Sequence, residues 1–136
     1  KYSMGISFYN IGNVYYDKGE FDKALEYLEK CLSVRKEIGL GQYSLLAATT
    51  SICLTYKNLG KEYDEKEIRR MIKELEHIDF RLNFSLYELL DEQSYLETAY
   101  NQIQEKVDVM ENDLKQKFLS YPIQKKIIEE YNKIFS

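Results

Sequence analysis

Apolar residues recur along this chain at spacings of three and four, which predicts helices from end to end. Phe8, Ile11, Gly12 and Tyr15 share one face of a first helix. Asp17-Lys18-Gly19-Glu20 follows, and Gly19 can take the left-handed conformation that ends a helix. Phe21, Ala24, Leu25, Leu28, Cys31 and Leu32 then carry the same period onto a second helix. Gly12 and Ala24 lie on the apolar faces, where small residues let two backbones approach; a methyl at Gly12 is expected to be tolerated better than a leucine. The glycines of Ile38-Gly39-Leu40-Gly41-Gln42 mark a turn.

A third helix is predicted over residues 42–59, with Leu45, Thr49, Ile52, Cys53, Tyr56 and Leu59 on one face. A fourth is predicted over about 64–79, with Ile68, Met71, Ile72, Leu75 and Ile78. A fifth spans Phe80 to Leu90, with Leu82, Leu86, Leu89 and Leu90 inward. Asp91 to Ser94 reads as a turn, with Ser94 as N-cap and Glu97 three residues on. One long helix is expected from Tyr95 to about Leu119, because Leu96, Ala99, Ile103, Val107, Met110, Leu114 and Phe118 keep near-heptad spacing. Pro122 opens a last helix in which Ile123, Ile127, Tyr131 and Ile134 face inward. The pattern amounts to about seven helices and no strand.

The first hairpin resembles a tetratricopeptide repeat. The family pattern appears as Phe8-x-x-Ile11-Gly12-x-x-Tyr15 and then Ala24-x-x-x-Leu28. Phe8 stands for the usual Trp, Ile11 for Leu and Leu28 for Phe; the closing Pro is absent, so the second helix is expected to run to about Ile38. Tyr56 and Gly60 echo Tyr15 and Gly19 at a distance of 41 residues, against about 34 in the common repeat. That stretch resembles the long-helix subgroup found in bacterial regulators and signalling scaffolds. Phe118 to Ile123 resembles the closing segment of repeat regions at the C-terminus of large signalling proteins. The resemblance implies an all-α, right-handed α-α superhelix, a solenoid of three hairpins and a C-terminal capping helix. Its repeats would cover about 4–38, 42–79 and 80–119, with the cap at 122–135, in a single domain over 1–136. The chain starts at Lys1 without Met, so it reads as a piece of a longer protein, a module of a signalling or regulatory one.

The resemblance also implies the work: holding another protein or a peptide in a groove lined by the first helix of each pair. Carried over position by position, the first repeat would present Ile6, Tyr9, Asn10, Asn13, Tyr16 and Asp17. The second would present Ala47, Thr50, Ser51, Leu54, Lys57 and Asn58. Asn13 matches an asparagine that in chaperone-binding members helps hold a peptide's C-terminal carboxylate, but Tyr9 stands where those members carry Lys and Ser51 where they carry a second Asn. Since the groove side chains face away from the packed stripe, they are expected to matter for a partner and little for folding. The alternative is a structural or oligomerisation segment that pairs through the helix 95–119.

Composition narrows the field further. Among 136 residues, 19 Lys and Arg stand against 23 Asp and Glu, a net charge of −4. No basic stripe stands out, which argues against nucleic acid. No apolar run reaches membrane-spanning length, so no membrane partner is expected. Cys31 and Cys53 fall on apolar faces as free thiols, which fits a reducing, cytoplasmic setting. Gly39-Leu40-Gly41 lacks the strand and the Lys-Ser/Thr of a phosphate loop. The single His77 has no metal-ligand spacing around it, and Glu62, Asp64, Glu65 and Glu67 read as charges at a helix start. No catalytic set, metal site or cofactor is expected, and the state in solution is expected to be monomer or weak homodimer.

Overall fold

The computed structural model describes residues 2–39 and 41–136, with the backbone alone of Tyr2 and Ser3; Leu40 of the predicted turn lies outside them. These residues form eight helices: α1 (Tyr2–Asp17), α2 (Phe21–Glu37), α3 (Gln42–Asn58), α4 (Glu65–Lys73), α5 (Phe80–Leu90), α6 (Gln93–Val107), α7 (Asn112–Leu119) and α8 (Pro122–Phe135). They fall into two compact units, Lys1–His77 and Ile78–Ser136.

In the first unit α1 packs on α2, α2 on α3 and α3 on α4, and α1 also touches α3. The tightest approach is at Gly12. A methyl built there would lie 2.7 Å from Cγ of Leu28 and 3.3 Å from the carbonyl oxygen of Ala24. Leu28 and Ala24 are fully buried and anchor a cluster with Ile52, against which Tyr9, Tyr15, Tyr16, Leu25, Leu32 and Tyr56 pack. Tyr27 of α2 adds ring contacts to α1, 5.6 Å from Tyr15 and 6.2 Å from Phe8 between centroids. Gly19 ends α1 as expected, at φ 79°. The amide of Gly19 donates to Tyr16 and that of Glu20 to Tyr15, which satisfies two of the last carbonyls of the helix. Gly60 repeats the arrangement after α3, with Gly60 donating to Lys57 and Lys61 to Tyr56.

The fourth helix stops earlier than its period predicts. Asp64 caps the start of α4 by accepting from the Glu67 amide at 3.1 Å, and the helix ends at Lys73 instead of near Asp79. The residues beyond it are recruited to another task. The carbonyl of Ile78 accepts from Nδ2 of Asn83 at 2.9 Å and from Nε2 of Gln102 at 2.7 Å. Asp79 takes an extended conformation and caps α5 by accepting from the Leu82 amide at 3.2 Å. A helical Ile78 or Asp79 would forfeit these bonds.

In the second unit α6 lies between α5 and α8. Leu96, Ala99, Ile103 and Val107 of α6 form its core with Phe80, Phe84 and Ile127, and Ile123, Tyr131 and Ile134 pack against them as the sequence predicts. Tyr131 also stacks on Tyr100 with centroids 3.7 Å apart. One boundary here differs from expectation. Asp91 adopts the left-handed conformation at φ 57°, which Asp tolerates, so α6 restarts at Gln93 with Glu92 as its N-cap and Ser94 inside the helix.

The long helix predicted over 95–119 is broken at Asp108–Glu111, which gives eight helices where about seven were expected. Val107, Asp108 and Val109 are weak helix formers, but the decisive gain is tertiary. The break turns α7 so that Phe118 meets Phe80 edge-on at 6.0 Å, while Met110 packs on the same core. The heptad seam ends there: Leu114 is 57% exposed. The α6 part of the face expected to pair with a second copy is packed against α5 and α8 within this unit.

Two substitutions test this packing. Gly12→Ala removes a flexible residue from a helix, worth about 1 kcal/mol, but drives a methyl into Leu28, a clash worth about 1–3 kcal/mol. Because Cγ of a buried leucine cannot swing away, Gly12→Ala is expected to be net destabilising by about 1 kcal/mol in urea titration, and Gly12→Leu by more. The order expected from the sequence, alanine milder than leucine, is unchanged. Gln124, in the first turn of α8, is 1% exposed, and neither end of its amide has a partner among the described residues. A buried unpaired polar group costs about 1–3 kcal/mol, so Gln124→Met is expected to raise the melting temperature.

Candidate functional site

The residues expected to line a groove sit on α1 and α3, which lie side by side. The join is polar. Nδ2 of Asn58 donates to the phenol oxygen of Tyr16 at 2.9 Å and to the carbonyl of Leu54 at 2.9 Å. Asp17 and Asn58 are exposed at the ends of their helices, Asn10 is exposed, and Asn13, Ser51 and Lys57 are half-buried. Thus Tyr16 and Asn58 are brought together, with Asp17 and Lys57 as their chain neighbours.

Two expected groove residues are not on a surface. Thr50 is fully buried, its hydroxyl without a hydrogen-bond partner among the described residues, and Leu54 is 7% exposed. Both belong to the packing of α3. A helix with seven buried residues of seventeen, Thr50 and Thr55 among them, is covered on more than one face, which a single amphipathic stripe does not anticipate.

Tyr9 and Tyr16 also differ from expectation. Tyr16 meets Phe21 edge-on at 5.6 Å, and both tyrosines pack on the Ala24, Leu28 and Ile52 cluster. The guanidinium of Arg35 lies 4.6 Å from the centroid of the Tyr9 ring. These tyrosines therefore support the fold as well as the surface, and the expectation that they matter little for folding is corrected.

Arg35 is the residue that sequence reasoning missed. It is the one charged side chain buried among the described residues. Its Nη1 donates to the Ser44 carbonyl at 2.7 Å, tying the end of α2 to the start of α3. The signal was present: Ala24, Leu28, Cys31 and Arg35 continue one buried stripe at steps of four, three and four. Burial pushes the Cys31 thiol up from its ordinary pKa, and the Arg35 charge and hydrogen bond oppose part of that rise. Burial likewise pushes the Cys53 thiol up to about 11, with the Asp64 charge adding to it. The Tyr56 phenol, which donates to Glu29 at 3.3 Å, is raised by burial and then by that carboxylate.

None of these groups forms a reactive set. Raised thiols hold their protons and are poor nucleophiles. Among the described residues no group of three or more His, Cys, Asp or Glu side chains is gathered as a metal site requires. Among the same residues no helix is long and apolar enough to cross a membrane. What the surface offers is hydrogen-bonding side chains beside aromatic rings on two adjacent helices.

Residues 6–37, spanning most of α1 and all of α2, match the family model of the tetratricopeptide repeat. Those residues form one tetratricopeptide repeat. With it go an all-α class and adjacent-helix packing consistent with a tetratricopeptide-like helical solenoid. No curated protein and no solved structure matches the chain. The family match supports a general protein–protein interaction module.

The Arg35 arrangement has a chemical readout. In a Cys53→Ala background, Arg35→Met removes the charge that opposes the rise of the Cys31 pKa. The thiolate fraction of Cys31 at pH 8 is then expected to fall, and its native-state reaction with a disulfide reagent to slow. Faster reaction, with the fold intact by circular dichroism, would show that Arg35 shields Cys31 instead of polarising it.

Proposed function

We propose that this chain is a scaffold that holds a peptide or a helix of a partner protein along the α1–α3 surface, as a module of a larger signalling or regulatory protein. The observation that carries the reading is the Asn58–Tyr16 hydrogen bond, which joins the two helices with polar side chains on either side of it. Asn13, Ser51 and Lys57 supply amide, hydroxyl and ammonium groups for the backbone and side chains of a ligand, and Tyr9 and Tyr16 supply ring edges. Tyr9 and Tyr16 act as fixed walls, because each is already packed from behind. An immobile aromatic wall loses little conformational entropy when a ligand arrives. The net charge of −4 and the absence of a basic stripe favour a protein ligand over nucleic acid, and a reducing, cytoplasmic setting fits the two free buried thiols.

The test uses two side chains that lie outside the Ala24, Leu28 and Ile52 cluster. Asn13→Ala with Lys57→Ala is expected to change stability by about 0.5 kcal/mol or less per site. The same variant is expected to lose the partners that the parent captures from its source cell. Equal recovery of the same partners by both proteins would move the binding surface away from α1 and α3.

A further inference from the structure

The whole-chain charge conceals a local excess in the second unit. Residues 114–128 run from α7 through Ser120 and Tyr121 into α8, and they hold Lys115, Lys117, Lys125 and Lys126 with no carboxylate. Glu111, Asp113, Glu129 and Glu130 each stand four residues from one of these lysines, yet none of the four lysines has an ion pair among the described residues. Lys117 and Lys125 stand four residues before and after Tyr121, and the Lys125 amide donates to the Tyr121 carbonyl at 3.0 Å. The same corner exposes apolar side chains. Val109, in the break before α7, is 87% exposed, Leu114 57% and Tyr121 46%. No residue of α7 is buried. Phe118 and Leu119 pack on the core, while Leu114 stays outside it and shares its face of the helix with Lys117, three residues on.

We propose that this corner rests on the surface of a bilayer that carries anionic lipid, with the lysines among the headgroups and Val109, Leu114 and the Tyr121 ring at the acyl boundary. The mixture of charge and aliphatic surface selects the occupant. Lysines beside exposed apolar groups on a short helix suit anionic headgroups and the layer beneath them. Nucleic acid would take the lysines and leave the aliphatic groups in water. An acidic protein would need a pocket for each protruding side chain, whereas a fluid acyl boundary accepts Val109 and Leu114 without a matching shape. Tyrosine, apolar in its ring and polar at its tip, suits that boundary. Lying on a surface requires no spanning helix. With four positive charges here and −4 overall, the rest of the chain carries −8, which turns this corner toward a negative surface and the remainder away.

Co-sedimentation of the whole protein with lipid vesicles tests this. One set is phosphatidylcholine alone, the other phosphatidylcholine and phosphatidylserine in equal parts. Binding is expected to the second set only, and it should fall as salt is raised, because the lysines are then screened. Lys117→Gln with Lys125→Gln is expected to weaken binding by about tenfold or more. Val109→Gln with Leu114→Gln is expected to weaken it by a similar factor. All four positions are exposed, so both variants should keep their circular dichroism and melting temperature. Lys66→Gln with Lys73→Gln, on α4, removes the same charge elsewhere and is expected to leave binding unchanged. No binding to the anionic vesicles overturns the proposal. So does binding that Val109→Gln with Leu114→Gln leaves intact, because charge alone would then account for it. If the protein ignores the vesicles and binds polyglutamate through Lys117 and Lys125, the corner serves an acidic polypeptide instead.

Discussion

The approach of α1 to α2 at Gly12 sets the geometry of the first unit. With no side chain at that point, Leu28 fills the space directly over the α1 backbone, and the Ala24 carbonyl comes within van der Waals reach of it. Everything around this contact is larger and placed to match: Tyr15 and Phe8 close over Tyr27, while Tyr9 and Tyr16 pack on the same cluster from the other side. Interiors packed to this density do not deform gradually. The two helices therefore behave as one piece, and α3 is laid against that piece through Ile52 and Tyr56.

Polar groups fix the relative placement of helices where apolar contact alone would leave freedom. Arg35 reaches across to the Ser44 carbonyl and lies against Tyr9, so α1, α2 and α3 meet at one cation. Its aliphatic stem is buried while its head finds an oxygen and a ring, which makes the burial of a charge tolerable. In the second unit the Ile78 carbonyl, shared by Asn83 and Gln102, plays the corresponding part between the start of α5 and α6.

The two surfaces of α1 follow from the same construction. One side turns toward α3 and carries the Tyr16 phenol that meets Asn58; another leaves Met4, Ile11 and Val14 exposed.

What the sequence determined by itself was the set of local facts: the helices, the ends at Gly19 and Gly60, Pro122 at the start of α8, the small position at Gly12 and the repeat at 6–37. Each depends on one residue type or one period, so a single strand of text contains it. The tertiary structure decided which faces are covered. Thr50 and Leu54 look like groove residues by position yet lie inside, because α3 has neighbours on more than one side. Arg35 looks like a surface charge yet is buried, because a ring and a carbonyl from two other helices receive it. The helix over 95–119 reads as continuous, and breaks at Asp108–Glu111, where the turned α7 brings Phe118 edge-on to Phe80. Periodicity reports one helix at a time, whereas burial is a property of the neighbours.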